Sequence, residues 1–148
     1  MRIETAKPND IPKIQNLDRH IPSARLLECV DNARVLIMRD CSNTDCKELE
    51  APIAGVLRYS LFWQTIPFLE LLYVDEKYRR QGVGAGLMDF WENAMRSLKY
   101  KYVLTSTQAD EDAWRFYEKL KYSKVGSFLP PEQEAEEWIY LKSLESDD

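Results

Sequence analysis

A short run rich in glycine and arginine could bind an anion. It reads Arg79-Arg80-Gln81-Gly82-Val83-Gly84-Ala85-Gly86 and follows the apolar segment Phe68 to Val74, before residues whose apolar side chains recur at helical spacing. A glycine-rich turn that leads into a helix directs several backbone N–H groups to one place, where the helix dipole also favours negative charge. Two arginines add positive charge, so the run predicts a phosphate or pyrophosphate site. Its spacing does not fit a P-loop, which needs GxxxxGK(S/T). It also does not fit the dinucleotide fingerprint GxGxxG, because position 87 is leucine.

The spacing of Arg79, Gly82 and Gly84 does satisfy the pattern R/Q-x-x-G-x-G/A. Placed after a strand that ends at Val74, this run resembles the pyrophosphate loop of the GNAT superfamily of N-acetyltransferases, which bind acetyl-coenzyme A. A second segment, FYEKLKY at 116–122, resembles the family's FYEKLGF segment. The resemblance covers essentially the whole chain. It implies direct transfer of an acetyl group from acetyl-CoA to a primary amine in a ternary complex, with coenzyme A as co-substrate and no metal.

The resemblance also implies which residues contact the coenzyme. In the family, the pantetheine arm lies along the end of the strand that precedes the loop, which puts Leu72, Tyr73 and Val74 beside it. The Val74 N–H is then a candidate donor to the thioester oxygen, in the role of an oxyanion-hole donor. Asp110 stands where the family often has asparagine. The expected coenzyme-binding residues are Leu72, Tyr73, Val74, Arg79, Arg80, Gln81, Gly82, Val83, Gly84, Ala85, Asp110, Ala113, Phe116 and Tyr117.

Two residues are expected to carry the chemistry. An alkylamine is mostly protonated at neutral pH, so the acceptor needs a base and the departing thiolate needs an acid. Glu70 is the candidate base, because alternation along its strand puts it on the same face as Val74. The alternative is a carboxylate paired with a neighbouring cation such as Arg58. Tyr117 is the candidate acid, since the matching tyrosine of the family often lies near the sulfur of coenzyme A; the alternative is a tyrosine of the core.

The acceptor is less well defined by the sequence. His20, the one histidine in the chain, falls in the region that borders the acceptor site in the family, although a loop histidine is most often simply exposed. Trp63, Gln64 and Trp138 could line an acceptor pocket or pack at strand ends. The acidic segment 132–137 is interpreted as a solvated loop, which favours a cationic amine only if it folds over the cleft. Small-molecule and protein amines are both open as partners.

These residues need a sheet and helices to position them, and the order of elements predicts an α/β (α+β) fold. Residues 1–148 are expected to form a single GNAT-like N-acetyltransferase domain, a mixed, mostly antiparallel sheet of about six to seven strands flanked by about four helices. Strands are expected at 2–6, 33–39, 53–63, 68–74, 102–106, 122–128 and 138–142. Helices are expected to start at Pro8, after Pro22, after the glycine-rich run, and near Ala113 with Asp110 as the N-cap.

Further details follow from the same patterns. In the helix after Pro22, the residues expected to face inward are Leu26, Leu27 and Val30. The polar segment 40–52 is the expected insertion or mobile loop. The three cysteines, Cys29, Cys41 and Cys46, form no metal-binding pattern and are expected to be reduced, with a Cys41–Cys46 pair only in an oxidising setting.

Composition narrows the class of protein. The chain has 148 residues, 45% of them hydrophobic, and a formal net charge of −5, which argues against a nucleic-acid or anionic-membrane partner. It has no apolar run of membrane-spanning length and no signal-peptide pattern at its start, so a cytoplasmic protein is expected. A homodimer is compatible with the resemblance, since dimers are common in the family.

Two other functions fit the same residues. The first is a non-catalytic module that binds coenzyme A and acts as a regulatory or interaction domain. The second is an acyltransferase that uses a longer acyl-CoA. Release of thiol in the presence of an amine separates the enzyme from the module, and the depth of the acyl pocket separates acetyl from longer donors.

Overall fold

The computed structural model describes residues 1–42 and 51–145 of the chain. In chain order the elements are β1 (Arg2–Thr5), α1 (Ile11–Gln15), α2 (Ser23–Asp31), β2 (Val35–Arg39), β3 (Ile53–Phe62), β4 (Ile66–Val74), α3 (Val83–Ser97), β5 (Tyr102–Gln108), α4 (Ala113–Lys119), β6 (Ser123–Phe128) and β7 (Glu137–Ser143). Short 3₁₀ turns occur at Pro8–Asp10 and Glu76–Tyr78.

The strands form one mixed sheet. Their order is β1-β2-β3-β4-β5-β7-β6 among the described residues. The β4–β5 pair is parallel, with Phe68 opposite Leu104 and Leu69 opposite Thr105, whereas β1–β2, β2–β3, β5–β7 and β6–β7 are antiparallel. A mostly antiparallel sheet of seven strands with four α-helices in the described ranges confirms the predicted fold class.

Three local predictions differ from the structure. Strand β2 begins at Val35 rather than Ala33, because Ala33 has a φ of +58° and turns the chain. In α2, Leu26 and Val30 are buried but Leu27 is 40% exposed, so the inward stripe is narrower than expected. Asp110 is not the N-cap of α4: that position belongs to Asp112, whose side chain makes no capping hydrogen bond.

The described residues form two compact units, the first drawn from Met1–Ser60 and Leu71–Ala94. Its strand β2 is buried on both faces. Side chains of Val35 and Ile37 belong to a core cluster that also contains Ile14 of α1 and Leu26 of α2. Neighbouring side chains in a strand alternate, and on the other face Met38 reaches α3, where its Cε would lie 3.1 Å from a Cβ atom at Gly86.

Helix α3 approaches β3 closely at Gly55. A Cβ atom at this position would lie 2.8 Å from Val83 Cγ1 and 3.1 Å from Leu87 Cδ1, so the glycine is needed for the close approach. The rings of Tyr59 and Trp91 meet at 5.6 Å further along the same pair of elements. The first turn of α3 is therefore fixed against the sheet, which also fixes the point where the glycine-rich loop ends.

The second unit comprises Leu61–Glu70 and the residues from Met95 on. Strand β5 pairs with β7 over its whole length, from Tyr102 with Ser143 to Gln108 with Glu137. Helix α4 adds Tyr117, which is buried and packs its ring against that of Tyr122 at 5.7 Å. Strand β6 lies at the end of the strand order, and all six of its residues are exposed.

The cysteines and the predicted insertion are described only in part. The structure has Cys41 in a disulfide and Cys29 as a free cysteine, so the expectation of reduced thiols is wrong for Cys41. Cys46 and most of the predicted insertion lie outside the described residues. No helix within 1–42 and 51–145 is long and apolar enough to cross a membrane.

Candidate active site

The segment that follows β4 is ordered by bonds of its own. Asp75 Oδ1 accepts a hydrogen bond from the Lys77 N–H at 3.1 Å, and the Tyr78 N–H donates to the Asp75 carbonyl at 2.8 Å. Gln81 Nε2 donates to the Lys77 carbonyl at 3.2 Å. The Tyr78 hydroxyl donates to Asp40 Oδ2 at 2.8 Å and ties the turn to the residue that follows β2. The chain thus enters the glycine-rich loop in a defined geometry.

The backbone of the loop turns sharply where α3 begins. Gly82 has a φ of +79°, a left-handed conformation that glycine adopts without steric cost. The Gly86 N–H donates to the Gly82 carbonyl at 2.9 Å in the helical pattern. The N–H groups of Val83, Gly84 and Ala85 precede that bond, at the end of a helix where internal acceptors are lacking. Together with the helix dipole they form the kind of site that binds a phosphate group.

Arg79 is braced against the end of β4. Its Nε donates to the Val74 carbonyl at 3.2 Å, and its Nη2 donates to the Tyr73 hydroxyl at 3.2 Å. A guanidinium carries five N–H groups, so two such bonds leave others for an anion. Arg80, the next residue, is exposed and has a φ of +63°. Both arginines are therefore exposed at the entrance of the loop, and Arg79 is oriented there by its two hydrogen bonds.

The direction of the Val74 amide follows from the hydrogen bond of the next residue. The Asp75 N–H donates to the Ala54 carbonyl of β3 at 2.8 Å. Because successive amides of a strand point to opposite edges, the Val74 N–H points away from β3. An amide directed to that edge is suited to donate to a thioester oxygen.

Glu70 is exposed on β4, next to the buried Leu69. Its carboxylate is therefore accessible to solvent. Arg58, the partner considered for it, forms an ion pair with Asp18, with 2.7 Å between Arg58 Nε and Asp18 Oδ2. Asp18 is buried just after α1, so this pair fixes the segment between α1 and α2.

Tyr117 combines features of both interpretations given for it. It is buried, with its ring 5.2 Å from that of Phe116 and 5.7 Å from that of Tyr122, as expected for a core residue. Burial raises the pKa of its hydroxyl, and a hydrogen bond with Thr105 acts in the opposite direction without cancelling the rise. The hydroxyl is therefore protonated at neutral pH, as a general acid must be.

A cavity of about 220 Å³ opens in the first unit. It is lined by Asn16, Leu17, Arg19, Tyr73, Asp75 and Glu76. Its charged members are two carboxylates and one guanidinium, so it suits a small polar group that carries an amine. His20, one residue beyond Arg19, is exposed.

The three side chains considered for an acceptor wall are not brought together by one element. Trp63 and Gln64 form the turn between β3 and β4, with φ values of +54° and +59°, and Trp63 is 78% exposed. This turn precedes β4, whereas the predicted acyl site lies at the other end of that strand. Trp138 lies on β7, where its ring is 6.2 Å from that of Trp114 and 4.1 Å from Lys124 Nζ.

The acidic segment before β7 folds onto the end of β5. Gln133 Nε2 donates to Glu137 Oε1 at 3.1 Å, and Gln108 Nε2 donates to Gln133 Oε1 at 3.4 Å. The Ala109 N–H donates to the Glu136 carbonyl at 2.8 Å. The carboxylates of this segment at positions 132, 134 and 136 are exposed, as predicted for a solvated loop.

The acetyltransferase (GNAT) family model matches residues 14–122, which is more than half of the chain. The chain belongs to the GNAT family. This match includes the glycine-rich loop and the segment around Tyr117, the two segments in which the sequence resembles the GNAT family. No curated protein sequence has a significant match to the chain.

Solved structures share the GNAT fold over nearly the full length. Ard1 from Thermoplasma volcanium is 20% identical, with a TM-score of 0.81 and 98% of each chain covered. The ribosomal-protein-S18-alanine N-acetyltransferase from Escherichia coli is 13% identical, with a TM-score of 0.79, covering 99% of this chain and 96% of that one. An aminoglycoside 6′-N-acetyltransferase complexed with coenzyme A is 16% identical, with a TM-score of 0.77, covering 100% and 99%.

Lys121 stands where the resembling GNAT segment has glycine, yet the turn is kept. Its φ is +75°, in the left-handed region. The Tyr122 N–H donates to the Tyr117 carbonyl at 3.0 Å, and the Lys121 N–H donates to the Glu118 carbonyl at 3.1 Å. Helix α4 thus ends in the left-handed cap that glycine commonly forms, with lysine in its place.

The other members of the predicted coenzyme site differ in their exposure to solvent. Leu72 and Phe116 are half-buried, whereas Asp110 and Ala113 are exposed. Their contacts with coenzyme A stay predictions from the GNAT resemblance.

The sequence did not predict most of the cavity. Asn16, Leu17 and Arg19 follow the short helix α1, where no motif marks a binding residue. Asp75 and Glu76 come directly after Val74, so proximity to the predicted acyl site was the available signal. Thr105, the hydrogen-bonding neighbour of Tyr117, lies in a segment whose sequence pattern indicates only a strand.

Proposed function

We propose that this protein is an N-acetyltransferase that moves an acetyl group from acetyl-CoA to a primary amine by direct transfer. The observation that carries the proposal is the left-handed Gly82 at the start of α3, which follows a strand ending at Val74 and an arginine braced on that end. This arrangement supports binding of the pyrophosphate of coenzyme A, because N–H groups and positive charge converge on one point. Membership of the GNAT family supports the transferase class.

In the proposed reaction the acceptor amine first loses a proton to Glu70 through a water molecule. The amine nitrogen then attacks the thioester carbon while the Val74 N–H stabilises the negative charge on its oxygen. The carbon–sulfur bond breaks, and the thiolate of coenzyme A takes the proton of the Tyr117 hydroxyl. The nitrogen of the new amide releases its remaining extra proton to water. An amide and free coenzyme A leave, and no acyl group is attached to the protein.

Burial of Tyr117 supports its proposed role as the acid. A general acid must hold its proton until the leaving group needs it. The pKa of Tyr117 is raised by burial, so the protonated form is retained through neutral pH. An ordinary thiol has a pKa of about 8.5, below that of tyrosine, so the proton moves to the thiolate only if the phenolate left behind is stabilised.

The cavity beside Tyr73 supports a small polar group of the acceptor as its occupant. Pockets that hold a whole drug-sized ligand are generally larger, about 300–1,000 Å³. A volume of about 220 Å³ is closer to one side chain or a short amine-bearing end. Similar structures include an enzyme named for a ribosomal-protein alanine and one named for an aminoglycoside, so protein and small-molecule amines both belong in the test.

The first experiment is calorimetric titration of the purified protein with coenzyme A and acetyl-CoA. We expect saturable binding that is weakened when Arg79 and Arg80 are both replaced by alanine. Arg25→Ala on α2 is the matched control, since Arg25 is an exposed arginine paired with Glu28 on its own helix. Absence of binding by the unaltered protein would contradict both the enzyme and the binding module.

The second experiment measures thiol release from acetyl-CoA with polyamines, aminoglycosides, amino acids and peptides that have free N-termini. Amine-dependent release, with a mass shift of the acceptor by one acetyl group, is the expected result. Binding of coenzyme A without release for any amine would favour the non-catalytic module. Faster release from butanoyl-CoA or longer donors than from acetyl-CoA would favour the acyltransferase for longer chains.

A further inference from the structure

Thr105 lies between a backbone carbonyl and the Tyr117 hydroxyl. It is on β5 and only 1% exposed. Its Oγ1 donates a hydrogen bond to the Leu69 carbonyl at 3.2 Å, and the same hydroxyl is the hydrogen-bonding neighbour of Tyr117. One buried hydroxyl is therefore shared between the strand β4 and the tyrosine of α4.

A hydroxyl has a single proton, and this limits what Thr105 can do at one time. While the Thr105 O–H donates to the Leu69 carbonyl, the Thr105 oxygen can only accept a hydrogen bond from the Tyr117 O–H. If Tyr117 becomes a phenolate, it can no longer donate, and Thr105 can donate to it instead. Rotation about one bond of the threonine side chain exchanges these two arrangements.

We propose that Thr105 is a positioning residue for Tyr117, and that its hydroxyl turns from the Leu69 carbonyl to the Tyr117 oxygen as the tyrosine gives up its proton. The inference rests on the proposed function, in which the thiolate of coenzyme A is the proton acceptor. The Tyr117 O–H bond breaks and an S–H bond forms, while the Thr105 O–H bond stays intact and changes its acceptor. The phenolate regains a proton from water after the products leave.

This arrangement lowers the cost of proton transfer from a buried group. A phenolate in an apolar environment is destabilised, and the ring contacts of Tyr117 with Phe116 and Tyr122 are of that kind. A hydroxyl already in place can stabilise the new charge without a rearrangement of the core. Charged hydrogen bonds are stronger than neutral ones, so the bond gained exceeds the bond lost at Leu69.

The other groups around Tyr117 are accounted for by separate bonds. Glu118, next to it on α4, accepts a hydrogen bond from the Tyr140 hydroxyl of β7 at 2.9 Å. Tyr122 contacts the Tyr117 ring, and Lys142 Nζ lies 5.6 Å from the centre of the Tyr122 ring. Thr105 is the residue of β5 that contacts the Tyr117 hydroxyl itself.

The chain offers a matched control two residues away. Thr107 lies on the same face of β5, is also buried, and its Oγ1 has no hydrogen-bond partner among the residues that the structure describes. Replacing either threonine by valine removes a buried hydroxyl and keeps the branched shape. A difference between the two variants therefore reports the bonds of the hydroxyl rather than the change of side chain.

The test compares Thr105→Val, Thr105→Ser and Thr107→Val in the full-length protein, with acetyl-CoA and an accepted amine. We expect Thr105→Val to lower kcat by roughly tenfold or more with little change in KM for acetyl-CoA, as for loss of a hydrogen bond to a charged group. Thr105→Ser is expected to restore most of the rate, and Thr107→Val to behave as the unaltered protein.

The pH profile separates this role from a structural one. Because the bond with Thr105 lowers the pKa of Tyr117, its removal raises that pKa further. The alkaline limb of kcat should therefore move to higher pH in Thr105→Val, and NMR titration of labelled tyrosine should show the same direction. Equal rates and profiles for Thr105→Val and Thr107→Val would overturn the positioning role. Absence of turnover by the unaltered protein with every amine would instead overturn the proposed function, and with it any catalytic role for Thr105.

Discussion

Arg79 reaches back to Tyr73 and contacts it in two ways. Its Nη2 donates to the phenol oxygen at 3.2 Å, and its guanidinium carbon lies 5.5 Å from the centre of the ring. The arginine that the GNAT pattern assigns to the pyrophosphate is therefore oriented by a residue at the end of β4. Tyr73 also lines the cavity of the first unit, so one side chain borders both proposed ligands.

Tyr73→Ala is expected to weaken binding of coenzyme A by about three- to fivefold, the size of a cation–π contact at an exposed site. Tyr73→Phe keeps the ring and should have a smaller effect. Calorimetric titration measures both, with Tyr102→Ala as the control because Tyr102 is an exposed tyrosine at the start of β5. Equal affinities of Tyr73→Ala and Tyr102→Ala for coenzyme A would show that Arg79 binds the coenzyme equally well without its contacts to Tyr73.

Glu70→Gln is expected to lower kcat by more than tenfold at neutral pH, because the amide cannot accept a proton from the acceptor amine. The affinity for acetyl-CoA should be unchanged, since the carboxylate is assigned to the acceptor side. Steady-state kinetics with an accepted amine and calorimetry with acetyl-CoA give the two values. Glu111→Gln, at an exposed position beyond β5, serves as the control. A normal kcat in Glu70→Gln would assign the base to water or to another residue.

Tyr117→Phe is expected to lower kcat by more than tenfold while the protein folds normally, because the thiolate loses its proton donor. The protonated tyrosine is the active form, and burial raises its pKa above the ordinary value near 10. Activity should therefore persist into alkaline solution and decline only above that range. In Tyr117→Phe this decline of kcat at alkaline pH should vanish. A decline that persists at the same pH would show that another group titrates there.

Lys121→Gly is expected to stabilise the protein by about 1 kcal/mol, because a left-handed conformation costs lysine roughly 1–2 kcal/mol that glycine does not incur. The φ of Lys121 is +75° just after α4. Lys119→Gly provides a contrast of opposite sign, since Lys119 ends the helix itself and glycine there should cost about 0.5–1 kcal/mol. Urea unfolding of both variants measures the free energies, and destabilisation by Lys121→Gly would refute the account of this cap.

Gly55→Ala is expected to destabilise the protein by roughly 1–3 kcal/mol, the usual cost of overpacking. The new methyl group would lie 2.8 Å from Val83 Cγ1 and 3.3 Å from the Tyr73 carbonyl oxygen. Gly126→Ala is the control, because a Cβ there meets nothing within 4 Å. Thermal unfolding compares the two, and equal midpoints would mean that α3 can move away from β3 at little cost.

Much of the fold was accessible from the sequence because its signals are local. Alternation in the segment that became β4, and helical spacing after the glycine-rich run, reflect burial against the sheet. The left-handed Gly82 was likewise predictable, since the pattern requires a residue free of steric restriction there. These features depend on a few neighbouring residues.

The remainder depends on contacts between distant residues. The pairing of Arg58 with Asp18 joins positions 40 residues apart, and no pattern in the sequence predicts it. The bond between Thr105 and Tyr117 needs α4 to be docked on β5 before it exists. Asp110 and Asp112 are equally good capping residues by type, so residue type alone does not fix where α4 begins.

The bulge in β6 bears on how this protein behaves at high concentration. Register with β7 shifts between Lys124 and Gly126, which leaves Val125 out of step in a strand at the end of the sheet. Another extended chain could align poorly with such a bent edge, and the lysine would carry a charge into the junction. An irregular, charged border of this kind discourages edge-to-edge growth of sheets.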